Sequence, residues 1–182
     1  AEMNGLDFDH KVRRPWARDP AFYVKMYLSE SDVPAHEGPV SHGWIDTWIY
    51  EHPLSADDAT ELARRFGTIP ALLEQAQENL AGSNALDLWE AGIRSFRGQA
   101  ADLRAYGDQV AGTSEVLDRS LANAAQASED FADWIAGELP GKTGRSGVGS
   151  DAYTWYMHNV HLSPFSWEEQ VTLMNRELAR SH

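Results

Sequence analysis

Hydrophobic positions fall into two textures along this chain. From Ser55 onward, apolar residues recur at intervals of three and four, the spacing of amphipathic helices. Before Leu54 that periodicity is missing, and Pro15, Pro20, Pro34, Pro39 and Pro53 rule against any long helix. In this first stretch only one short helix is expected, from about Pro20 to Ser29. Asp19 caps it, Pro20 takes the first helical position, and Phe22, Tyr23, Met26 and Tyr27 supply an apolar face. The remainder reads as ordered loop. Trp16, Trp44, Trp48 and Tyr50 are too many large aromatics for a solvated linker, so the loop is predicted to wrap a helical body and bury them.

The periodic part resolves into successive helices. Ser55 followed by Asp57 and Asp58 is an acidic helix start, and the first helix runs to about Phe66 before Gly67-Thr68. Ile69-Pro70 opens a second, with Leu72, Leu73, Ala76 and Leu80 on one stripe. Asn84 is placed to cap a third that carries Leu88, Trp89, Ile93, Phe96, Ala100 and Leu103. Gly92 and Gly98 inside it mark close helix contacts. A fourth starts near Ser114, carries Leu117, Leu121, Ala124, Ala125, Phe131, Trp134 and Ile135, and stops at Leu139-Pro140-Gly141. After a loop over Lys142–Ser150 comes a helix, a short aromatic loop and a second helix. Ser163-Pro164 breaks the first, and a reciprocal cap between Ser166 and Glu169 starts the second.

These elements predict an all-α protein: an irregular bundle of long, mostly antiparallel helices with an aromatic-rich irregular N-terminal segment. No fixed-period repeat points to a solenoid. We read residues 1–182 as a single helical region, with an irregular wrap over 1–54, four helices over 55–139 and a helix-loop-helix over 147–182. At 182 residues and 42% hydrophobic content, one core is the expectation. Ala1 is not a methionine, and Leu6 to Trp16 opens without a helix cap, so a processed, truncated or internal piece of a longer protein is expected.

Charge and composition narrow the function. A net charge of −13, with 15 basic residues scattered along the chain, argues against a nucleic-acid surface. The absence of cysteine removes disulfides, thiolate catalysis and cysteine-ligated metal. No run of about 18 apolar residues spans a membrane, and no signal peptide opens the chain. A soluble protein is expected, with the cytoplasm the favoured compartment.

Several groups of residues invite a chemical reading. His36-Glu37 and His42 invite a zincin reading, but the second histidine lies six residues on and Gly38-Pro39 cannot sit inside the required helix. His158 and His161, three apart at a helix end and followed by Glu168 and Glu169, have a spacing that permits metal binding. Partly buried, hydrogen-bonded histidines among Tyr153, Trp155 and Tyr156 are the simpler reading. Gly141-Lys142-Thr143-Gly144 matches only the end of a phosphate loop and lacks its first glycine and leading strand. Ser146, Ser150 and Ser163 have no nucleophile-elbow motif. The pairs Asp57-Asp58, Glu129-Asp130 and Glu168-Glu169 read as solvated charge. No self-sufficient catalytic site emerges from the residues.

The segment GVGSDAYTWYMHNVHLSPFSWEEQVTLMNRELAR, with PLSADDATELARRFGTIPALLEQAQENL and WIAGELPGKTG upstream, resembles the bacterial family named domain of unknown function 885. The likeness spans nearly all of the chain and keeps its order. It implies a mostly helical protein that is part of a considerably longer, zinc-dependent metallopeptidase of the gluzincin kind. The family's metal motif, of the form HExxPGH, lies downstream of the matched region, so no metal ligand or catalytic glutamate is carried onto this chain. What the resemblance implies here is non-catalytic: helical cleft walls, with Tyr153, Trp155, Tyr156, His158 and His161 as candidate substrate contacts. Peptide is the implied substrate, and the implied partner is the remainder of the polypeptide, or a companion chain, bearing the zinc. The alternative is a free-standing helical binding or scaffold module without catalytic activity.

Overall fold

The computed structural model describes residues 1–27 and 44–181, and the protein is all-α. Its helices are α1 (Glu2–Phe8), α2 (Ala56–Phe66), α3 (Ile69–Leu80), α4 (Leu86–Val110), α5 (Glu115–Glu138), α6 (Ser150–Asn159) and α7 (Trp167–Ser181). Extended structure among the described residues is a two-residue parallel pairing, with Met26 opposite Ile45 and Tyr27 opposite Asp46, and one bridge between Ala85 and Gly144. The chain forms two compact units, Trp16–Arg145 and Ala1–Pro15 with Ser146–His182.

The larger unit is built on α4 and α5. Early positions of α4 meet late positions of α5, as in Trp89 against Trp134 and Phe96 against Phe131, so the two helices run antiparallel. Phe131 in turn stacks on Trp134 at 5.3 Å, giving a continuous aromatic ladder across the interface. Helices α2 and α3 close the core with Leu62, Phe66, Ile69, Leu73, Ala76 and Leu80, all buried. Local signals set the helix ends. The Ser55 hydroxyl accepts from the Asp58 amide, the Ser114 hydroxyl from the Leu117 amide, and Leu139-Pro140-Gly141 tightens α5 into a 3₁₀ turn.

Burying polar side chains is tolerable only when they are paired. Gln99, in mid-α4, meets that condition by bridging elements. Its amide nitrogen donates to Ser128 Oγ at 2.9 Å, and its oxygen accepts from the backbone amides of Lys25 and Met26 at 2.6 and 3.2 Å. This explains why the described part of the helix expected over Pro20–Ser29 holds only a 3₁₀ turn, Pro20–Tyr23, residues 28 and 29 lying outside the described residues. The Asp19 cap forms as predicted, but the chain then turns extended, into the pairing at Met26, where Gln99 takes amides that a helix would have used.

Four other expectations change. An uncapped helix, α1, occupies Glu2–Phe8 and continues as a π-turn through Arg13, where a loop was predicted. Ion pairs at i, i+4 (Lys11 to Asp7, 2.6 Å; Arg13 to Asp9, 3.0 Å) and burial of Phe8 replace the missing cap. The aromatic wrap half-buries Trp16 and Tyr50 but leaves Trp48 and Ile49 exposed. Asn84 does not cap α4, because its side chain is bonded to Thr143. Of the two glycines in α4, Gly92 marks a close contact, tightest with a turn: a Cβ there would lie 2.7 Å from Pro20 Cβ and 3.6 Å from Ile135 Cδ1 of α5. Gly98 has open space around it.

Candidate functional site

The five candidate residues lie on and just after α6, in the smaller unit. Gly149, at φ 89°, turns the chain into this helix, a conformation that favours glycine. The α6–α7 connection is held by backbone bonds from Val160 and His161 to the Tyr156 carbonyl and from Ser163 to the Met157 carbonyl. Helix α7 starts with the predicted reciprocal cap: the Ser166 amide donates to Glu169 Oε2 at 2.8 Å, and the Glu169 amide to Ser166 Oγ at 3.3 Å.

The aromatic candidates divide between two supports. Trp155 stacks on Phe8 of α1, nearly parallel at 5.7 Å, and Tyr156 meets the same ring at 4.8 Å. Tyr153 points the other way. Its ring meets Trp167 edge-on at 5.2 Å, and its hydroxyl donates to Gln170 Oε1 at 2.9 Å. The Trp167 amide donates to Thr154 Oγ1, which ties α7 to α6 at a second point. The Asn4 side chain likewise donates to the Asn159 carbonyl, fixing α1 on α6.

No residue of α6 is fully buried; Trp155 and His158 are exposed, and His161 lies exposed beyond the helix with its ring edge-on to Tyr156. The two histidines are thus surface groups, more open than the partly buried pair expected. The candidates are thus incompletely buried rings on different sides of α6, Trp155 and Tyr156 supported by Phe8 and Tyr153 by Trp167, two residues that the sequence did not nominate. Nothing local to α6 marks Phe8; Trp167 shows only as the first apolar residue after the Ser166 cap. Partly exposed rings of this kind offer flat contact area at low entropic cost to a peptide or aromatic ligand.

Among the described residues no group of three or more His, Asp or Glu side chains is gathered closely enough to hold a metal ion. His36, Glu37 and His42 lie outside the described residues. The Lys142–Gly144 segment is a clasp within the larger unit. Lys142 Nζ sits 3.8 Å over the Trp89 ring, Thr143 and Asn84 exchange two hydrogen bonds, and the Leu86 amide donates to the Gly144 carbonyl at 2.9 Å. Backbone atoms and the one lysine are spent on the chain itself, which leaves no phosphate cradle.

Comparison with protein-family models, with curated proteins and with solved structures finds no match. No helix among the described residues is long and apolar enough to cross a membrane.

Proposed function

We propose that this chain is a non-catalytic helical portion of a zinc-dependent metallopeptidase, contributing cleft wall and substrate contacts through Tyr153, Trp155, Tyr156, His158 and His161. The observation that carries the reading is the set of incompletely buried aromatic rings on α6, positioned by Phe8 and Trp167 yet not consumed as core. The sequence resemblance supplies the reaction class. The residues described here do not fit a zinc ion, since His158 and His161 gather no third ligand, and no catalytic step is assigned to them.

A free-standing helical binding module is the second reading, favoured by the closed core of Trp16–Arg145, which needs no further sequence to bury Trp89, Phe96 or Phe131.

The polypeptide bearing this sequence, isolated from its native source without added zinc, separates the two. The peptidase reading expects a mass above that of 182 residues, stoichiometric zinc, and a Trp155→Ala variant whose KM for peptides rises about tenfold with zinc retained. Material of this chain's mass, free of zinc and inactive on peptides, overturns it in favour of the module.

A further inference from the structure

Two arginines of α4 bridge its seam with α5. Arg97 reaches Asp133 at 3.8 Å, and Arg104, about two turns on, gives both terminal nitrogens to Glu129 Oε2 at 3.1 Å. The next position at that spacing is Ala111. There the seam opens into a cavity of about 280 Å³. Its floor is Leu103, Leu121 and Ala125, all buried, and Gly107, Ala111 and Ala122 are too small to fill it.

Two carboxylates line this cavity, Asp108 of α4 and Asp118 in the first turn of α5. Neither meets a basic side chain among the described residues. Asp118 is short of donors: its Oδ1 is buried with no hydrogen-bond partner, and its Oδ2 accepts only from the Gly112 amide, at 3.4 Å. Arg104, the base among the lining residues, is already held by Glu129. Arg119 stands about 100° round the helix from Asp118 and is not part of the lining.

We propose that this cavity binds a small organic cation, an alkylguanidinium or alkylammonium. Its charged head meets Asp108 and Asp118, and its aliphatic stem covers the apolar floor. Asp118 Oδ1 is sealed as it stands, so the head engages it by turning the carboxylate about its last torsion, away from the long bond to Gly112. With Arg104 and Glu129 cancelling each other, the two remaining carboxylates select a cation over an acid of the same shape. The volume lies at the low end of ligand cavities and suits a stem of a few carbons with one head group. In effect the ligand supplies the third cation that the seam lacks at Ala111. No residue of α6 lines the cavity, so the inference stands whether or not the metallopeptidase reading holds.

The test titrates the whole chain with n-butylguanidine, followed by calorimetry and by amide chemical shifts. Controls of the same shape are n-butylurea, which is neutral, and pentanoate, an anion. Saturable one-to-one binding of the guanidine is expected, with a Kd on the order of 1 mM for a ligand of about eight non-hydrogen atoms. Both controls are expected to bind at least about tenfold more weakly. Asp118→Asn and Asp108→Asn keep the shape and remove a charge, and each is expected to weaken the guanidine by about tenfold. Ala122→Met fills the cavity and leaves every charge in place, so diffuse attraction expects binding unchanged, whereas cavity binding expects it lost. Far-UV dichroism of each variant confirms that α5 still forms.

Equal binding of n-butylurea and n-butylguanidine would overturn the proposal, as would undiminished binding by Ala122→Met. So would shifts that fall outside the facing halves of α4 and α5. A blocked alanine-arginine-alanine peptide that binds where n-butylguanidine does not would assign the head group to a partner chain and end the free-ligand reading.

Discussion

Helix α5 lays Leu117, Leu121, Ala124, Phe131 and Ile135 against its neighbours with essentially no exposure, whereas α7 carries apolar residues at comparable spacings and buries none of them. The periodicity is alike, and what differs is the partner. In the larger unit each amphipathic face meets another, and the aromatic ladder from Trp89 to Phe96 runs through the contact. Among the described residues of the smaller unit the buried hydrophobic residue is Phe8, and α6 and α7 hold each other at a few polar and ring contacts. A hydrophobic stripe therefore does not by itself tell whether a helix is covered within these residues. The larger unit spends its stripes on its core, and the smaller leaves that of α7 exposed.

The strongest way to break this contrast is to remove one aromatic anchor from each unit. Trp89→Ala deletes a fully buried ring, the partner of Trp134, the seat of the Lys142 ammonium and the indole donor to Ser83 Oγ. A loss of about 3–5 kcal/mol is expected in urea unfolding followed by dichroism. Phe8→Ala removes the ring behind Trp155 and Tyr156, whose own faces are already half open. It is expected to cost less than about 3 kcal/mol and to speed amide exchange in α6 without moving the main unfolding transition. Equal losses from the two substitutions in one shared transition would sink the division.

A pair of glycines in one helix sharpens the account of the closed core. Alanine is favoured over glycine in a helix interior by about 1 kcal/mol, so the local effect is the same at Gly92 and Gly98. At Gly92 the new methyl lies 2.7 Å from Pro20 Cβ and must push the Pro20–Tyr23 turn off α4. Gly92→Ala is expected to lose about 1–2 kcal/mol net, because overpacking outweighs propensity. Nothing lies within 4 Å of the position at Gly98, and Gly98→Ala is expected to gain about 0.5–1 kcal/mol. If both variants gain stability, the turn is not tightly packed against α4.

How much of this was legible depended on whether the signal was local. Helices α2, α3 and α5 could be bounded from sequence because Ser55, Pro70, Ser114 and Pro140 act within a turn of where they stand, and the same holds for the start of α7 at Ser166 and Glu169. Helix α1 could not, since no residue caps it and its anchor ring is covered by Trp155 and Tyr156, far along the chain. Asn84 looked like a cap because its type suits one, yet the competing bond to Thr143 came from a distant loop. At the candidate site, the sequence could place the aromatics on one helix. It could not tell that Tyr153 leans on Trp167 while Trp155 and Tyr156 lean on Phe8, because that direction is set by which helices arrive beside α6.

The smallest expected effect concerns a flaw in the closed core. Tyr106 is almost fully buried beside Phe66 and His52, and its hydroxyl finds no hydrogen-bond partner among the described residues. An unpaired buried hydroxyl is a cost that an apolar group of the same shape avoids, so Tyr106→Phe is expected to gain up to about 1 kcal/mol at neutral pH. Burial, helped by the charges of Tyr50 and Asp58, pushes the phenol up from its ordinary value of 10.0 to about 12. Its neutral form is therefore favoured in the folded state. Below pH 10 the phenol is neutral whether the chain is folded or not, and that preference is fully met. As the pH rises from 10 toward 12 the unfolded chain releases this proton and the folded chain does not, so stability falls through that window. Tyr106→Phe lacks the group and should decline less steeply there, with its advantage over the parent widening as the pH rises. The other tyrosines titrate in both proteins and cancel in the comparison, so the difference in unfolding free energy between parent and variant reports Tyr106 alone. An advantage that stays constant across the window would mean that the phenol reaches water or a partner in solution, and that the core of the larger unit is more open at α4 than its packing indicates.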